Sequence, residues 1–142
     1  MVAVAGFDHL NLTVRDLGET ADWYRRVFGF ERVEEGTWDG VPWAILRSED
    51  GQGEAMLCVY ERPELGAPDA DGRHHRVRHA GFRIRDRAAW EAVLAREGLA
   101  SEFIPYPHSE SWYVTDPTGY EIEVVLWKDG RVRFPQSVKE AL

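Results

Sequence analysis

The chain has a single cysteine, Cys58, among its 142 residues. No disulfide can close within it, which fits a reducing cytoplasm. Long apolar runs are also missing, and no stretch approaches the roughly 20 residues that a membrane-spanning helix needs. The opening Met1-Val-Ala-Val-Ala-Gly-Phe7 has no basic segment, and its apolar run is too short for a secretory signal, so none is expected. Basic charge is in deficit: 17 Lys and Arg stand against 25 Asp and Glu, a formal net charge of −8. Such a field repels a phosphate backbone and an anionic lipid surface, which argues against nucleic acid and membranes as partners.

What is present suits a folded domain. Apolar residues make up 44% of the chain, enough for a packed core rather than disorder. Aromatics reach 12%, with six tryptophans, and rings of that size fill a core or line a pocket. The length predicts one domain, or two half-size units sharing a core.

The chain repeats itself. Asp8-His9-Leu10-Asn11-Leu12-Thr13-Val14-Arg15-Asp16 aligns with Arg78-His79-Ala80-Gly81-Phe82-Arg83-Ile84-Arg85-Asp86 at an offset of 70, with His, Arg and Asp identical. Further on, Pro42-Trp43-Ala44-Ile45 aligns with Ser111-Trp112-Tyr113-Val114 at an offset of 69. Two ordered matches at nearly one offset indicate a duplicated unit, too small to fold alone with ease.

Each unit opens with a two-residue alternation that predicts a half-buried strand. Leu10, Leu12 and Val14 share one face, as do Ala80, Phe82 and Ile84, while His9 and His79 lie opposite. A helix follows each. Asp16 caps the first, whose stripe of Leu17, Ala21, Tyr24 and Val27 or Phe28 ends at Gly29; Asp86 caps the second, with Ala89 or Trp90, Val93 and Leu94 inward, ending near Gly98. Short strands are then expected over 30–36, 41–48 and 54–61, and again over 101–105, 110–115 and 120–127. Each unit reads β-α-β-β-β. Module one covers about 6–61, module two about 78–128. Residues 62–77 form a turn-rich linker, and 129–142 a polar tail without legible chemistry. The fold class is therefore α+β: two tandem βαβββ modules, expected to form an open, cup-shaped mixed sheet with helices on its outer face.

Three residues on the strand faces opposite the aliphatic stripes could carry chemistry: His9, His79 and Glu123. If the two modules sit side by side, the repeat relates the histidines by a pseudo-twofold axis and lets them meet in one concavity. Two imidazoles and a carboxylate form a facial metal set with open positions; Fe(II) or Mn(II) lead, and Zn(II) or Ni(II) also fit. The competing reading is an ordinary polar strand face in solvent, where His and Glu are commonplace. Duplication of the histidine favours the metal.

These residues resemble the vicinal oxygen chelate superfamily of glyoxalases, extradiol dioxygenases, fosfomycin-resistance, methylmalonyl-CoA epimerase and bleomycin-resistance proteins. The resemblance runs from about Phe7 to Trp127. It rests on His9-Leu-Asn-Leu-Thr-Val14 with Trp23-Tyr24-Arg-Arg-Val-Phe28-Gly29-Phe30, and on Trp112-Tyr113-Val-Thr-Asp116-Pro117-Thr-Gly119-Tyr-Glu-Ile-Glu123. It implies a metal held by His9, His79 and Glu123, with Glu121 as the competing carboxylate. It also implies a substrate bound through neighbouring oxygens, and a homodimer.

Within the superfamily, glyoxalases add a fourth ligand, whose equivalent here falls near Ala55 or Met56, both poor ligands; Glu54 and Glu61 are close but out of place. A three-ligand set resembles the extradiol dioxygenases and fosfomycin-resistance enzymes. Tyr113 matches an extradiol tyrosine that can hydrogen-bond a reacting oxygen, or is a cross-strand packing aromatic. His108 is a candidate acid/base, but Pro105 and Pro107 flank it and a solvent loop is the plainer reading. His74 and His75 read as solvated linker residues. No potassium loop of the fosfomycin transferases stands out. Bleomycin-type binders lack the metal ligands that this chain retains. Trp38, Trp43, Trp112 and Trp127 could form an aromatic wall or fill the core.

The expectation is thus a metal-dependent enzyme, an extradiol-type ring-cleaving dioxygenase or close relative. The alternatives are a glyoxalase-like lyase, isomerase or epimerase, with Glu121 or His108 moving a proton, and a small-molecule sequestering protein.

Overall fold

A computed structural model of the chain describes residues 2–4, 6–66 and 77–132. His74 and His75, most of the linker and the tail from 133 onward lie outside the described residues. Two compact units emerge, Met1–Ala67 and Pro68–Leu142. The first contains β1 (Leu10–Val14), α1 (Leu17–Phe28), β2 (Glu31–Trp38), β3 (Val41–Glu49) and β4 (Glu54–Glu61). The second contains β5 (Ala80–Ile84), α2 (Arg87–Glu97), β6 (Glu102–Pro105), β7 (Ser109–Thr115) and β8 (Glu121–Trp127). Each is βαβββ with one four-stranded mixed sheet, ordered β1-β4-β3-β2 and β5-β8-β7-β6. The first and last strands of each unit pair in parallel, and the rest are antiparallel.

The local signals explain the elements. Asp16 Oδ1 accepts from the Glu19 amide at 2.7 Å, and Asp86 Oδ1 from the Ala89 amide at 3.0 Å, so both helices start on a capping carboxylate. Both end on a glycine in the left-handed region, Gly29 at φ 68° and Gly98 at φ 61°. Asp39 and Gly40, at φ 49° and 77°, turn β2 into β3 with the positive dihedrals that a tight hairpin requires.

In unit one Val14, Tyr24, Ala44, Leu46, Leu57 and Val59 are at most 1% exposed and form the core between α1 and the sheet. Burying one such aliphatic side chain stabilises by about 1.5–3 kcal/mol. The corresponding core in unit two holds Trp90, Trp112, Val114, Ile122 and Val124. Here α2 lies over the Trp112 side of the sheet, with Arg87 stacked 5.6 Å from the Phe103 ring centre and 5.7 Å from that of Trp112. The expected inward stripe of α2 shrinks to Trp90, while Val93 and Leu94 stay half-exposed.

Register corrects the internal alignment. Ile45 pairs with Cys58 and Tyr113 with Glu123; Leu10 pairs with Leu57 and Ala80 with Ile122. Leu57 and Ile122 are therefore equivalent, and Trp43 occupies the place of Ser111, not of Trp112. A one-residue slip sends every side chain to the opposite face. Trp112 accordingly packs in the core, 4% exposed, whereas Trp43 lies on the sheet face away from α1.

Candidate functional site

The sheet face away from α2 gathers the candidate side chains of unit two. His79 immediately precedes β5. On that face, Glu121 and Glu123 project from β8 and Tyr113 from β7, because their registers alternate with the buried Ile122, Val124, Trp112 and Val114. His79 Nε2 lies 2.9 Å from Glu123 Oε2. Its Nδ1 lies 3.2 Å from Glu121 Oε1, out of line for a hydrogen bond, and is buried without a hydrogen-bond partner among the described residues. Side-chain exposure separates the two carboxylates: 19% for Glu123 and 46% for Glu121.

Tyr113 meets the imidazole edge-on, with ring centres 5.7 Å apart. Its hydroxyl lies 3.2 Å from that of Tyr106. Burial first, then the Tyr106 hydroxyl, then hydrogen bonding and like charge from Glu123 push the Tyr113 phenol well above the ordinary tyrosine range. It stays protonated at neutral pH and is a donor.

The turn between β6 and β7 carries Tyr106 and is clamped from the end of β8. Lys128 Nζ donates to the Tyr106 carbonyl at 2.8 Å and to that of Pro107 at 3.3 Å, and the Lys128 amide to the His108 carbonyl at 3.1 Å. His108 thus sits in that turn, and its ring makes no hydrogen bond to the described residues. Tyr106 was not anticipated from sequence; its nearness to Tyr113 depends on hairpin pairing, with Pro105 opposite Glu110 and the Tyr106 amide on the Ser109 carbonyl at 2.9 Å.

A second turn fixes Tyr113 and Glu123 opposite each other. Asp116, 4% exposed, accepts through Oδ1 from the amides of Thr118, Gly119 and Tyr120 at 3.0, 2.8 and 2.9 Å. The Asp-Pro-Thr-Gly segment is therefore a structural turn between β7 and β8.

Unit one holds the counterpart. His9 immediately precedes β1 as His79 precedes β5, and its Nδ1 lies 2.6 Å from Asp8 Oδ1. Where unit two has Glu123, unit one has Cys58, paired beside Asn11 as Glu123 is beside Gly81. The expectation of Ala55 or Met56 at this place is thereby corrected. It extrapolated along the sequence, whereas parallel pairing with β1 sets the true equivalent. Burial first, and then the Asp8 charge, raise the Cys58 thiol above its usual range, so it is no hard anionic donor. The nearby carboxylates are committed elsewhere. Glu61 Oε2 accepts from the Leu17 amide at 2.9 Å and caps α1, and Glu54 pairs with Arg47 at 2.8 Å.

Among the four tryptophans considered for an aromatic wall, Trp38 ends the edge strand 68% exposed, Trp112 is core, and Trp43 and Trp127 lie on the sheet faces away from the helices. Trp43 pairs with Tyr60 across β3 and β4, and its ring runs over Gly36, where a Cβ would meet Cζ2 at 2.9 Å.

Within either unit, no three His, Cys, Asp or Glu side chains form a metal-holding group among the described residues. Unit two by itself supplies two donors: an imidazole nitrogen and a carboxylate turned to each other and half withdrawn from water. That pair could supply two donors to a divalent ion.

The chain belongs to the Glyoxalase/Bleomycin resistance protein/Dioxygenase superfamily, whose family model matches residues 6–124. Solved structures of the same fold include a glyoxylase/bleomycin resistance protein/dioxygenase domain from Frankia sp. EAN1pec, 22% identical over 91% of this chain and 96% of that one, TM-score 0.77. A fosfomycin resistance protein, FosX, from Listeria monocytogenes, complexed with Mn(II) and 1S,2S-dihydroxypropylphosphonic acid, is 17% identical over 89% and 95%, TM-score 0.67. TnmS3, an antibiotic binding protein from Streptomyces sp. CB03234, is 18% identical over 89% and 100%, TM-score 0.65. No curated protein matches the sequence. Members of the superfamily commonly bind divalent metals and small molecules. No described helix is long and apolar enough to cross a membrane.

Proposed function

We propose that the chain is a metal-dependent enzyme acting on a small molecule held through two neighbouring oxygens. His9, His79 and Glu123 hold Fe(II) or Mn(II), with Zn(II) or Ni(II) as the other candidates. The observation that carries the reading is the His79 Nε2 to Glu123 Oε2 approach of 2.9 Å, together with a second histidine at the same place in the repeat. A bound ion would act as a Lewis acid on the substrate oxygens. The chain's own residues do the rest. Glu123 presents its donor from β8 and His79 from the residue before β5, and Tyr113, held protonated, offers its phenol proton to a reacting oxygen. We read the protein as a cytoplasmic homodimer.

The reaction favoured is extradiol-type ring cleavage. Three donors with a raised-pKa thiol at the fourth place suit a site that keeps positions open for a diol and O₂. A glyoxalase-like lyase, isomerase or epimerase uses the same donors without oxygen, with Glu121 or His108 moving the proton. The third possibility, a sequestering protein, draws support from the half-exposed Trp43 and Tyr60, side by side on the open face of unit one.

The test is metal content of protein purified without oxygen, followed by oxygen uptake with catechols. About one Fe or Mn per chain, lost in His79→Ala, together with oxygen consumption, supports the dioxygenase. Metal without oxygen uptake moves the assignment to the lyase or isomerase. Ligand binding that ignores a chelator makes the protein a binder.

A further inference from the structure

Both histidines of the proposed metal set turn one ring nitrogen to a carboxylate. His9 Nδ1 is 2.6 Å from Asp8 Oδ1, and His79 Nδ1 is 3.2 Å from Glu121 Oε1. In His79 the other nitrogen, Nε2, faces Glu123. Glu123 in turn interacts with Tyr113, whose hydroxyl meets that of Tyr106 on the turn clamped by Lys128.

We infer that Asp8, Glu121 and the Tyr113–Tyr106 pair are positioning residues of the metal centre, a role that rests on the metal reading above. An imidazole whose Nδ1–H is given to a carboxylate carries its lone pair on Nε2. The two carboxylates therefore select Nε2 of each histidine for the metal and fix the ring planes. Glu121 serves His79 and not the metal. It lies on the Nδ1 side and is the more exposed of the two carboxylates, while Nδ1 is a buried donor in want of an acceptor. A small rotation of the Glu121 side chain satisfies it. On the other ligand, in the substrate-free site, the Tyr113 hydroxyl donates to Glu123 and keeps one carboxylate oxygen turned to His79, and Tyr106 orients Tyr113.

The experiment is Mn(II) titration by calorimetry, with free Mn(II) counted by electron paramagnetic resonance. Removing such a partner costs about 10–100-fold in metal affinity. Asp8→Asn, Glu121→Gln and Tyr113→Phe should each weaken Mn(II) binding about tenfold while keeping the wild-type stoichiometry. Tyr106→Phe should weaken it less, and add nothing in the Tyr113→Phe background, because the two phenols act in series. His79→Ala and Glu123→Gln should abolish stoichiometric binding. Unchanged affinity in the positioning variants overturns this inference and leaves the metal reading standing. Loss of stoichiometry in Glu121→Gln also overturns it, by making Glu121 a ligand. A wild type that takes up no Mn(II) overturns both. Thermal unfolding of the metal-free variants, expected to match wild type, separates positioning from damage to the fold.

Discussion

Asp116→Ala tests whether the turn between β7 and β8 holds the site together. Asp116 Oδ1 receives three backbone amides within 3.0 Å and is almost wholly buried. Alanine removes that acceptor. The Gly119 amide keeps a second acceptor, the Asp116 carbonyl at 3.0 Å, so the loss falls chiefly on Thr118 and Tyr120. A buried donor stripped of its partner costs about 1–3 kcal/mol, so the variant should lose about 2–4 kcal/mol. Set against the 5–15 kcal/mol typical of a domain, roughly, that is a large share. With a urea slope of about 1–3 kcal/mol/M, the midpoint should fall by about 1–2 M in a titration followed by tryptophan fluorescence and circular dichroism. Asp116→Asn keeps a carbonyl oxygen in place and should lose only about 1 kcal/mol, the difference between charged and neutral acceptors. An alanine variant within about 0.5 kcal/mol of wild type, the range of an ordinary surface change, would refute the reasoning.

Other consequences are as direct. Gly36→Ala drives a methyl against Trp43 Cζ2 at 2.9 Å and should cost about 1–3 kcal/mol, with a shifted tryptophan emission; an unchanged spectrum and stability would mean the ring moves freely. Tyr113 ionises well above the ordinary phenol range when folded but near pH 10 when unfolded, so above about pH 10 the unfolded chain binds fewer protons and stability falls. Tyr113→Phe should flatten that fall, and an identical slope in the variant would contradict it. Cys58, half-buried and with a raised pKa, should react with iodoacetamide at pH 8 more slowly than a free thiol; an equal rate would show an open, ordinary cysteine.

Much of the fold was legible in the sequence because its causes are local. Asp16 and Asp86 announce helices through capping, Gly29 and Gly98 end them through positive φ, and the two-residue alternation at Leu10–Val14 and Ala80–Ile84 marks strands. The duplicated histidine, and the family resemblance for Glu123, likewise named candidate donors. Strand pairing is another matter, since partners far apart in the chain set the register. The internal alignment slipped by one residue at Trp43, because tryptophan matched tryptophan by identity, although one lies in the core and the other on the open face. The same long-range pairing placed Cys58, not Ala55 or Met56, at the unit-one position equivalent to Glu123. Glu121 and Glu123 look alike in the sequence and point the same way from their strand. Only the tertiary structure gave one of them to each nitrogen of His79, because the ring sits between them and its two nitrogens face different ways.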